Sequence, residues 1–480
     1  MDEPALDRGM RTAPPSAELL ALVEGWMPAR RWYPVKGTAV RTVPWLSWEL
    51  PSPGAASVEV HLLRLVGDGV DLVVQVPLVL DPGPGAAVPD DGPSVVGHLA
   101  GAGAPGAGGA VPVTVHDGAA HPAYWAAVLR LAEWAHGEAG AGPSAGAPDA
   151  DELAGARPLA VEQSNSSVVL PGVAGGGMLK VVRAVALGPN PDVTIPRALA
   201  GAGFAGAPRP LAWLTAGWEP QDDAPGADAA HPGAEPRIAH LAVLAELVHG
   251  AQDGFDLACA LAGRGESFAD GAGALGRAVA RMHVVLAGAF EPGPPLDAKW
   301  LVDDLRRRAD TAAEQTPVLA ARRDAVRGFH DEAVSLLAQS GASTRLQRIH
   351  GDLHLGQVLH GDEGWKILDF EGEPMRPVAE RTRPDVALRD VAGMLRSVDY
   401  AAAVGHATDP GWASAASAAF LDAYRAETGV SGDEARAAEA LLRALLLDKA
   451  LYEVVYETRN RPAWQHIPLA AVDRLLAGQV

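Results

Sequence analysis

Residues 348–359 read RIHGDLHLGQVL and residues 367–374 read ILDFEGEP, and the fold turns on how these two stretches are understood. Asp352 and Gln357 lie five apart across loop-like sequence, and Asp369 follows 17 residues after Asp352, at the end of the apolar run WKIL. Taken singly, Asp352 reads as a loop aspartate capping the next turn and His350 as a satisfied buried histidine. His350 and His354, at i and i+4, would chelate zinc if they stood on a helix. Gly351 and the loop-like context argue against that helix.

The set as a whole points elsewhere. Protein kinases place a loop aspartate to accept the substrate hydroxyl proton, an amide five residues on to hold magnesium, and a later aspartate to bind magnesium between phosphates. The need is physical: phosphoryl transfer asks for alignment and for divalent charge on the migrating group, so hard oxygen ligands must converge at about 2.1 Å. Asp352 is the candidate base, and Gln357, Asp369 and Glu371 are the candidate ligands. On an extended chain Asp369 and Glu371 alternate and face one way.

A nucleotide site also needs a cation for the α and β phosphates. Lys180, in MLKVVR, sits mid-strand among apolar neighbours, as that role requires. Its acidic partner is sought on the following helix, where Asp192 is the candidate, unless it serves only as the helix cap. The loop QSNSS (163–167) offers backbone amides and the polar side chains of Ser164, Asn165 and Ser166 to phosphates. Glu246, Leu247 and Val248, ending HLAVLAELV, are placed to present backbone groups to adenine as a hinge.

Further out, the order of elements agrees. Strand-like runs (58–66 and 71–80) lead to HPAYWAAVLRLAEWAHG, a helical pattern in which Trp125, Leu129, Leu131 and Trp134 share a face. A Gly/Pro/Ala-rich connector puts a boundary near 140–155. EQSNSSVVLPG and GGGMLKVVRAV then read as an antiparallel hairpin, 217–237 reads as a disordered insert, and beyond 251 the periodicity is helical. The expectation is an α+β, bilobal, protein-kinase-like fold: a β-rich cap at 1–140, a β-rich lobe holding ATP at 155–250, and a helical lobe with catalytic loop and acceptor site at 251–480.

Composition narrows the function. The chain has 480 residues and a net charge of −20, which repels a phosphate backbone and sets nucleic acid aside as a partner. No run of about 18 apolar residues escapes a charge or a Pro/Gly break, and the acidic start MDEPALDRGMRT is unlike a signal peptide, so no membrane partner and a cytoplasmic location are expected. A single cysteine, Cys259, excludes an internal disulfide framework and reads as core filler.

The sequence resembles the actinobacterial maltokinases, relatives of the aminoglycoside phosphotransferases with an added N-terminal cap domain. The resemblance rests on RRWYPVKG (30–37), EQSNSSVV (162–169), LGPNPDV (187–193), HGDLHLGQVL, LDFEGEP, RPDVALRDVAGMLRSVDYAA (383–402) and DKALYEVVYETRNRPAW (448–464). It implies use of ATP and Mg2+ to phosphorylate the anomeric hydroxyl of maltose, giving maltose 1-phosphate for α-glucan (glycogen) synthesis from trehalose-derived maltose. A trehalose synthase is then a candidate partner, and the protein a monomer or homodimer. By motif match Asp352 is similar to the family's base, Gln357 and Asp369 to its metal ligands with Glu371 near the second metal, and Lys180 to its ATP lysine. The chain departs from the family's pattern at RWYPVKG, at Thr194 and at QSNSS.

The resemblance also puts the sugar in the helical lobe, on the Tyr/Glu-rich C-terminal helix. Tyr456, Glu457, Arg461 and Trp464 are the acceptor candidates there, since aromatics and carboxylates suit sugar faces and hydroxyls. The plainer reading is a helix stabilised by Lys449 pairing with Glu453. Asp390 is expected to anchor the catalytic loop through a buried pair. Competing functions are a kinase for another sugar such as glucosamine, an aminoglycoside-inactivating enzyme, and a catalytically silent kinase-like binding module, against which the intact Lys180, Asp352, Gln357 and Asp369 count.

Overall fold

The computed structural model describes residues 4–52, 54–67, 69–83, 94–100, 112–135, 151–159, 164–219, 237–340, 344–372, 381 and 383–478. The chain divides into two compact units, one of residues 1–194 with 209–247, the other of 195–208 with 248–480.

The first unit is built on two antiparallel sheets. One takes β1 (Val40–Leu50), β2 (Ser57–Gly67), β3 (Val70–Pro82), β4 (Val95–Leu99) and β5 (Val113–Asp117) in the order β1-β2-β3-β5-β4. The other takes β6 (Glu133–Trp134), β7 (Arg157–Pro158), β8 (Ser166–Leu170), β9 (Gly177–Val181), β11 (Pro210–Trp218) and β12 (Arg237–Glu246) in the order β6-β11-β12-β9-β8-β7, while β10 (Ala184–Val185) crosses to pair with β3. β2 and β3 are near-continuous in apolar residues because both faces of their sheet are covered. Val60, Leu62 and Val79 join one core with Trp125 and Leu129 of the helix Pro122–Leu131, and Leu63, Leu65, Val74 and Leu78 join another with Leu19, Val23 and Trp32.

The helix expected to reach Trp134 stops at Leu131. Ala132 turns extended (ψ 143°), and Glu133 and Trp134 become an edge strand opposite Trp213 and Ala212 of β11, with Glu133 accepting the Trp213 indole N–H at 2.9 Å. The expected hairpin is β8–β9, with Ser167 opposite Lys180. Its turn needs glycine, since Gly175 and Gly176 have φ of 80° and 121°. The insert at 217–237 joins β11 to β12, whose ends Trp218 and Arg237 are paired, and its residues 220–236 lie outside the described ones.

The second unit is mainly helical, with a short sheet of β13 (Gln252–Asp253), β14 (Val358–Gly361) and β15 (Gly364–Ile367). Its core runs along the helices Ala269–Ala289, Leu388–Val404, Trp412–Thr428 and Gly432–Asn460. Ala269–Ala289 meets Trp412–Thr428 closely enough that a Cβ on Gly276 would sit 2.3 Å from the Phe420 carbonyl oxygen, so only glycine permits that crossing. The amphipathic run at 303–340 is broken at Pro317 and again after Ala320 into separate helices. Among the described residues no helix is long and apolar enough to cross a membrane.

Candidate active site

In the second unit the loop carrying Asp352 hangs from one buried carboxylate. Asp390, 1 % exposed in the first turn of Leu388–Val404, accepts the backbone N–H of His350 at 2.8 Å and of Gly351 at 2.9 Å. It also accepts from His283 Nε2 at 3.0 Å, and His283 Nδ1 meets the Tyr424 hydroxyl at 2.9 Å. Burial works to raise the Asp390 pKa, but the hydrogen bond and charge of His283, the charge of His350 and the Gly351 N–H outweigh it and hold the carboxyl below its ordinary value. Gly351 has φ 87°, which lets two successive N–H groups turn toward that carboxylate. The expected anchoring role of Asp390 is what the contacts display.

The histidines scaffold this loop. His350 Nε2 lies 2.7 Å from the Leu368 carbonyl and must therefore donate, leaving Nδ1 to accept the Asp352 N–H at 3.3 Å. His354 Nδ1 caps the turn Leu355–Gln357 by accepting from Gly356 N–H at 3.0 Å, and burial, with the charges of Lys449 and His350, lowers its pKa to about 4. The zinc reading fails here because residues 350–354 form no helix and both His350 nitrogens are engaged.

Gln357 leads into β14, and Asp369 follows two residues after β15 ends, so the hairpin between them sets their separation. Gln357 Nε2 donates to Asp369 Oδ2 at 3.1 Å, which leaves the amide oxygen to a cation. Asp369 has φ 60°, and the chain turns at Phe370 and Glu371 instead of continuing extended as the alternation argument supposed. Phe370 explains the turn: it is 3 % exposed and packs 5.0 Å from the His350 ring. Asp369 and Glu371 nonetheless bring carboxylate oxygens within 4.8 Å of one another. An amide oxygen and two carboxylates form a hard-donor set that suits Mg2+.

Beside Asp352 opens a recess lined also by Arg308, Arg389, Asp448, Lys449 and Tyr452. Asp448, 6 % exposed, lies 3.2 Å from Arg308 Nε and 3.6 Å from Arg389 Nη1, and its pKa is raised, burial outweighing those two cations. Lys449 Nζ stands 5.3 Å over the Tyr452 ring. The expected Lys449–Glu453 pair does not form: Glu453 accepts from Arg396, which is buried beneath the helix. Of the acceptor candidates, Tyr456 stacks on Tyr452 at 6.3 Å, and Arg461 lies over Tyr456 and Trp464. Glu457, 1 % exposed, is taken by Tyr400 at 3.0 Å and Arg461 at 2.6 Å and does not line the recess. Tyr452, which opens the Tyr/Glu repeat at i and i+4 in the sequence, lines the recess; Lys449 was read only as a partner for Glu453, and Asp448 is the lining residue the sequence reading missed, its i, i+4 spacing to Tyr452 being the available signal.

In the first unit Lys180 Nζ pairs with Asp192 Oδ2. Asn190 takes the cap, its Oδ1 accepting the Asp192 N–H at 2.8 Å, which releases the Asp192 side chain for the lysine. Val193, Trp213 and Val243 pack together, and Val243 stands opposite Lys180, so the first turn of the helix Pro191–Gly201 is seated on the strand face that carries the lysine. Ser164 is exposed, but Asn165 Oδ1 accepts the Arg183 N–H at 2.9 Å and Ser166 Oγ accepts from Arg183 Nε at 2.9 Å, so those two side chains hold the turn instead of reaching outward. Gln163 lies outside the described residues. At the hinge candidates, Glu246 N–H is given to the Arg209 carbonyl at 2.9 Å and Leu247 N–H to that of Gly176 at 3.0 Å, and Val248 begins the second unit.

A loop aspartate pinned through its neighbours to a helix carboxylate, an amide and aspartate across a short hairpin, and a strand lysine paired with a helix aspartate define a kinase-like phosphotransferase. The chain belongs to the phosphotransferase enzyme family, whose model matches residues 185–440, and residues 26–128 match the Maltokinase N-terminal cap domain. It is 30% identical over 341 residues to a glucosamine kinase of Mycolicibacterium smegmatis (strain ATCC 700084 / mc(2)155), covering 67% of this chain and 80% of that one. It is also 30% identical over 349 residues to a glucosamine kinase of Streptacidiphilus jiangxiensis, covering 68% and 74%. A solved glucosamine kinase in complex with glucosamine, ADP and inorganic phosphate superposes over 97% of this chain and 100% of that chain, with a TM-score of 0.61 at 24% identity, and so shares the fold. The expected α+β kinase-like fold with an N-terminal cap is borne out.

Proposed function

We propose that the protein is an ATP-dependent sugar kinase that phosphorylates maltose at its anomeric hydroxyl, giving maltose 1-phosphate for α-glucan (glycogen) synthesis. Family membership and the cap support the sugar kinase reading. The observation that carries the choice of a neutral acceptor is the recess beside Asp352. There Asp390 and Asp448 are already engaged by loop N–H groups and arginines, while Lys449 adds a cation over Tyr452. A protonated amino sugar entering it would meet Lys449 with like charge. A neutral disaccharide would meet an aromatic face and hydrogen-bonding groups.

In this reading Asp352 accepts the proton of the anomeric hydroxyl as the new O–P bond forms and ADP leaves. Lys180, kept in place by Asp192, holds the α and β phosphates. The backbone at Ser164 faces phosphate, with Asn165 and Ser166 shaping the turn, and the backbone at Glu246–Val248 meets adenine. Gln357, Asp369 and Glu371 would hold Mg2+, which when bound offsets the negative charge of the phosphate oxygens. Tyr456, Arg461 and Trp464 extend the aromatic surface beyond Tyr452 toward a second sugar ring, with Glu457 fixing Arg461. Residues 1–140 then serve as the cap, 155–250 as the nucleotide-holding part and 251–480 as the part with base and acceptor. We place the reaction in the cytoplasm, in a monomer or homodimer, fed by a trehalose synthase.

The second reading, phosphorylation of glucosamine, is favoured by the activity for which both 30% identical relatives are named. A panel of maltose, glucose, glucosamine and an aminoglycoside with ATP, followed by NMR of the phosphorylated position, separates the two. Phosphate on C1 of maltose is the expected result. Preference for glucosamine, or phosphate at C6, sinks the maltose assignment and leaves the kinase assignment standing.

A further inference from the structure

Within the second unit a cavity of about 290 Å³ opens where the helices Leu388–Val404, Trp412–Thr428 and Gly432–Asn460 come together, and none of the groups assigned to phosphoryl transfer lines it. Its volume is roughly twice that of the ~150 Å³ apolar cavity that takes up benzene, enough for a bicyclic ring with a short chain. Leu388, Leu421, Tyr424, Val430 and Leu442 give it an apolar wall. Its polar groups are mostly matched: Arg425 pairs with Glu439, and the Thr428 hydroxyl donates to the Tyr424 carbonyl at 3.1 Å. Glu434 differs. It is exposed in the first turn of Gly432–Asn460 and has no ion pair or hydrogen bond among the described residues. With Glu439 it sets two carboxylates against the one guanidinium of Arg425, so negative charge is in excess along the lining.

Two residues of the same wall also hold the pin of the loop carrying Asp352. Leu388 opens the helix whose first turn carries Asp390. Neutral His283 spends its one N–H on Asp390, so the Tyr424 hydroxyl is the donor across the 2.9 Å to His283 Nδ1.

We infer that this cavity is a second binding site, for a small amphipathic amine whose ring packs among Leu421, Tyr424 and Leu442 and whose ammonium meets Glu434, and that its occupancy is felt at the loop of Asp352 through Tyr424, His283 and Asp390. The site stands apart from the sugar kinase reading, since binding there needs neither sugar nor nucleotide. Burial of the ring supplies most of the affinity, and the unpaired carboxylate favours a cation over a neutral molecule and a neutral molecule over an anion. A ring in the cavity adds contacts to Tyr424 and narrows the motion of its hydroxyl. His283 is then held more firmly against Asp390, and Asp390 against the N–H groups of His350 and Gly351.

The test uses the full-length protein without sugar or ATP, and three probes that share one ring: tryptamine, tryptophol and indole-3-acetate, a cation, a neutral alcohol and an anion. Calorimetry at low salt is expected to show tryptamine binding about threefold more tightly than tryptophol, with indole-3-acetate the weakest. Glu434→Gln removes the difference between tryptamine and tryptophol. Ala438→Phe, which puts a ring into the cavity, abolishes binding of both. Amide hydrogen exchange reads the coupling: with tryptamine saturating, the N–H groups of His350 and Gly351 exchange at least about threefold more slowly, while those of the β14–β15 hairpin keep their rates. Tyr424→Phe, which lacks the hydroxyl, keeps the binding and loses the slowing. No binding of tryptamine up to about 1 mM overturns the site, as does binding that Ala438→Phe leaves intact. Tryptophol binding as tightly as tryptamine overturns the choice of an amine, and binding without any change in loop exchange overturns the coupling. Should Tyr424→Phe not fold, the comparison of loop and hairpin amides in the parent protein decides. None of these measurements depends on which sugar is phosphorylated, so failure here and failure of the kinase reading are seen separately.

Discussion

His283 gives its Nε2–H to Asp390 Oδ2 across 3.0 Å, and the same carboxylate receives the N–H groups of His350 and Gly351, so the loop carrying Asp352 is suspended from the helical core through one buried anion. Asp390→Ala leaves two backbone donors and a histidine without an acceptor and is expected to cost about 3–5 kcal/mol of stability. Turnover falls with it even where the protein stays folded. Urea unfolding checks the first effect and kcat at saturating substrates the second. The pH sign follows from the lowered Asp390 pKa: its contribution is present above the ordinary carboxylate value and disappears as pH falls through the folded one.

Asp352→Asn keeps the loop, because the contacts that pin it run through His350, Gly351 and Asp390. What is exchanged is the carboxylate proposed as the proton acceptor. Turnover should drop by about 10²–10⁴-fold with ATP affinity within twofold of the parent, measured by single-turnover kinetics and calorimetry. Activity within about tenfold of the parent removes Asp352 from the role of base.

Asp369→Asn exchanges a carboxylate for an amide beside Gln357 without changing size, and Gln357 already donates to that position. The Mg2+ concentration for half-maximal activity is expected to rise at least about tenfold while KM for the sugar holds. Mn2+, bound more tightly by the same oxygen donors, should recover part of the loss. An unaltered Mg2+ dependence would place the cation elsewhere.

The parts of this site that could be read in the sequence are the local ones. Asp352, Gln357 and Asp369 are joined by one loop and one hairpin, so their spacing in sequence is already their spacing in space. Lys180 and Asp192 are 12 residues apart, and their pairing hinged on whether the helix had another cap, a role Asn190 fills. The parts that could not be read are non-local. Arg183 looks like the solvent-facing end of a strand until Asp117, 66 residues earlier, is known to meet it. Arg308 and Arg389 meet at Asp448 from separate helices, and nothing near DKALYE announces either. The same limit misassigned Glu453, whose partner Arg396 is 57 residues away while Lys449 is four. The turn at Phe370 escaped for the related reason that it answers to packing against His350.

Lys449 makes the recess a place to test acceptor choice. It is half-buried and its ammonium stands over Tyr452, with no ion pair among the described residues, so reversing its charge alters the field at the proposed acceptor position with little rearrangement. Lys449→Glu is expected to raise the ratio of kcat/KM for glucosamine over maltose by at least about tenfold, or ~1.4 kcal/mol, a modest share of one reversed charge at partial burial. Lys449→Met should give a smaller change of the same sign. A ratio that stays constant across both variants places the acceptor's amine or C2 hydroxyl away from this helix.

His330 offers a pH test remote from the chemistry. It is fully buried, and among the described residues neither ring nitrogen has a hydrogen-bond partner. Burial, helped by the charge of Arg306 and opposed by Asp331 and Asp310, lowers its pKa from 6.5 to about 4. The folded protein therefore carries it neutral, while the unfolded chain takes up a proton as pH falls below 6.5. Stability is fully present above that value and is lost progressively toward pH 4, at up to about 1.4 kcal/mol per pH unit from this one group. His121 is lowered to about 4 as well, chiefly by burial, and adds to the same slope. His330→Leu removes a titrating ring that makes no hydrogen bond, so it should cost little at pH 7.5 and make unfolding free energy less steep between pH 6.5 and 5. Urea titrations of both proteins at half-unit pH steps measure this directly, and parallel curves would mean that the His330 ring is protonated in the folded state.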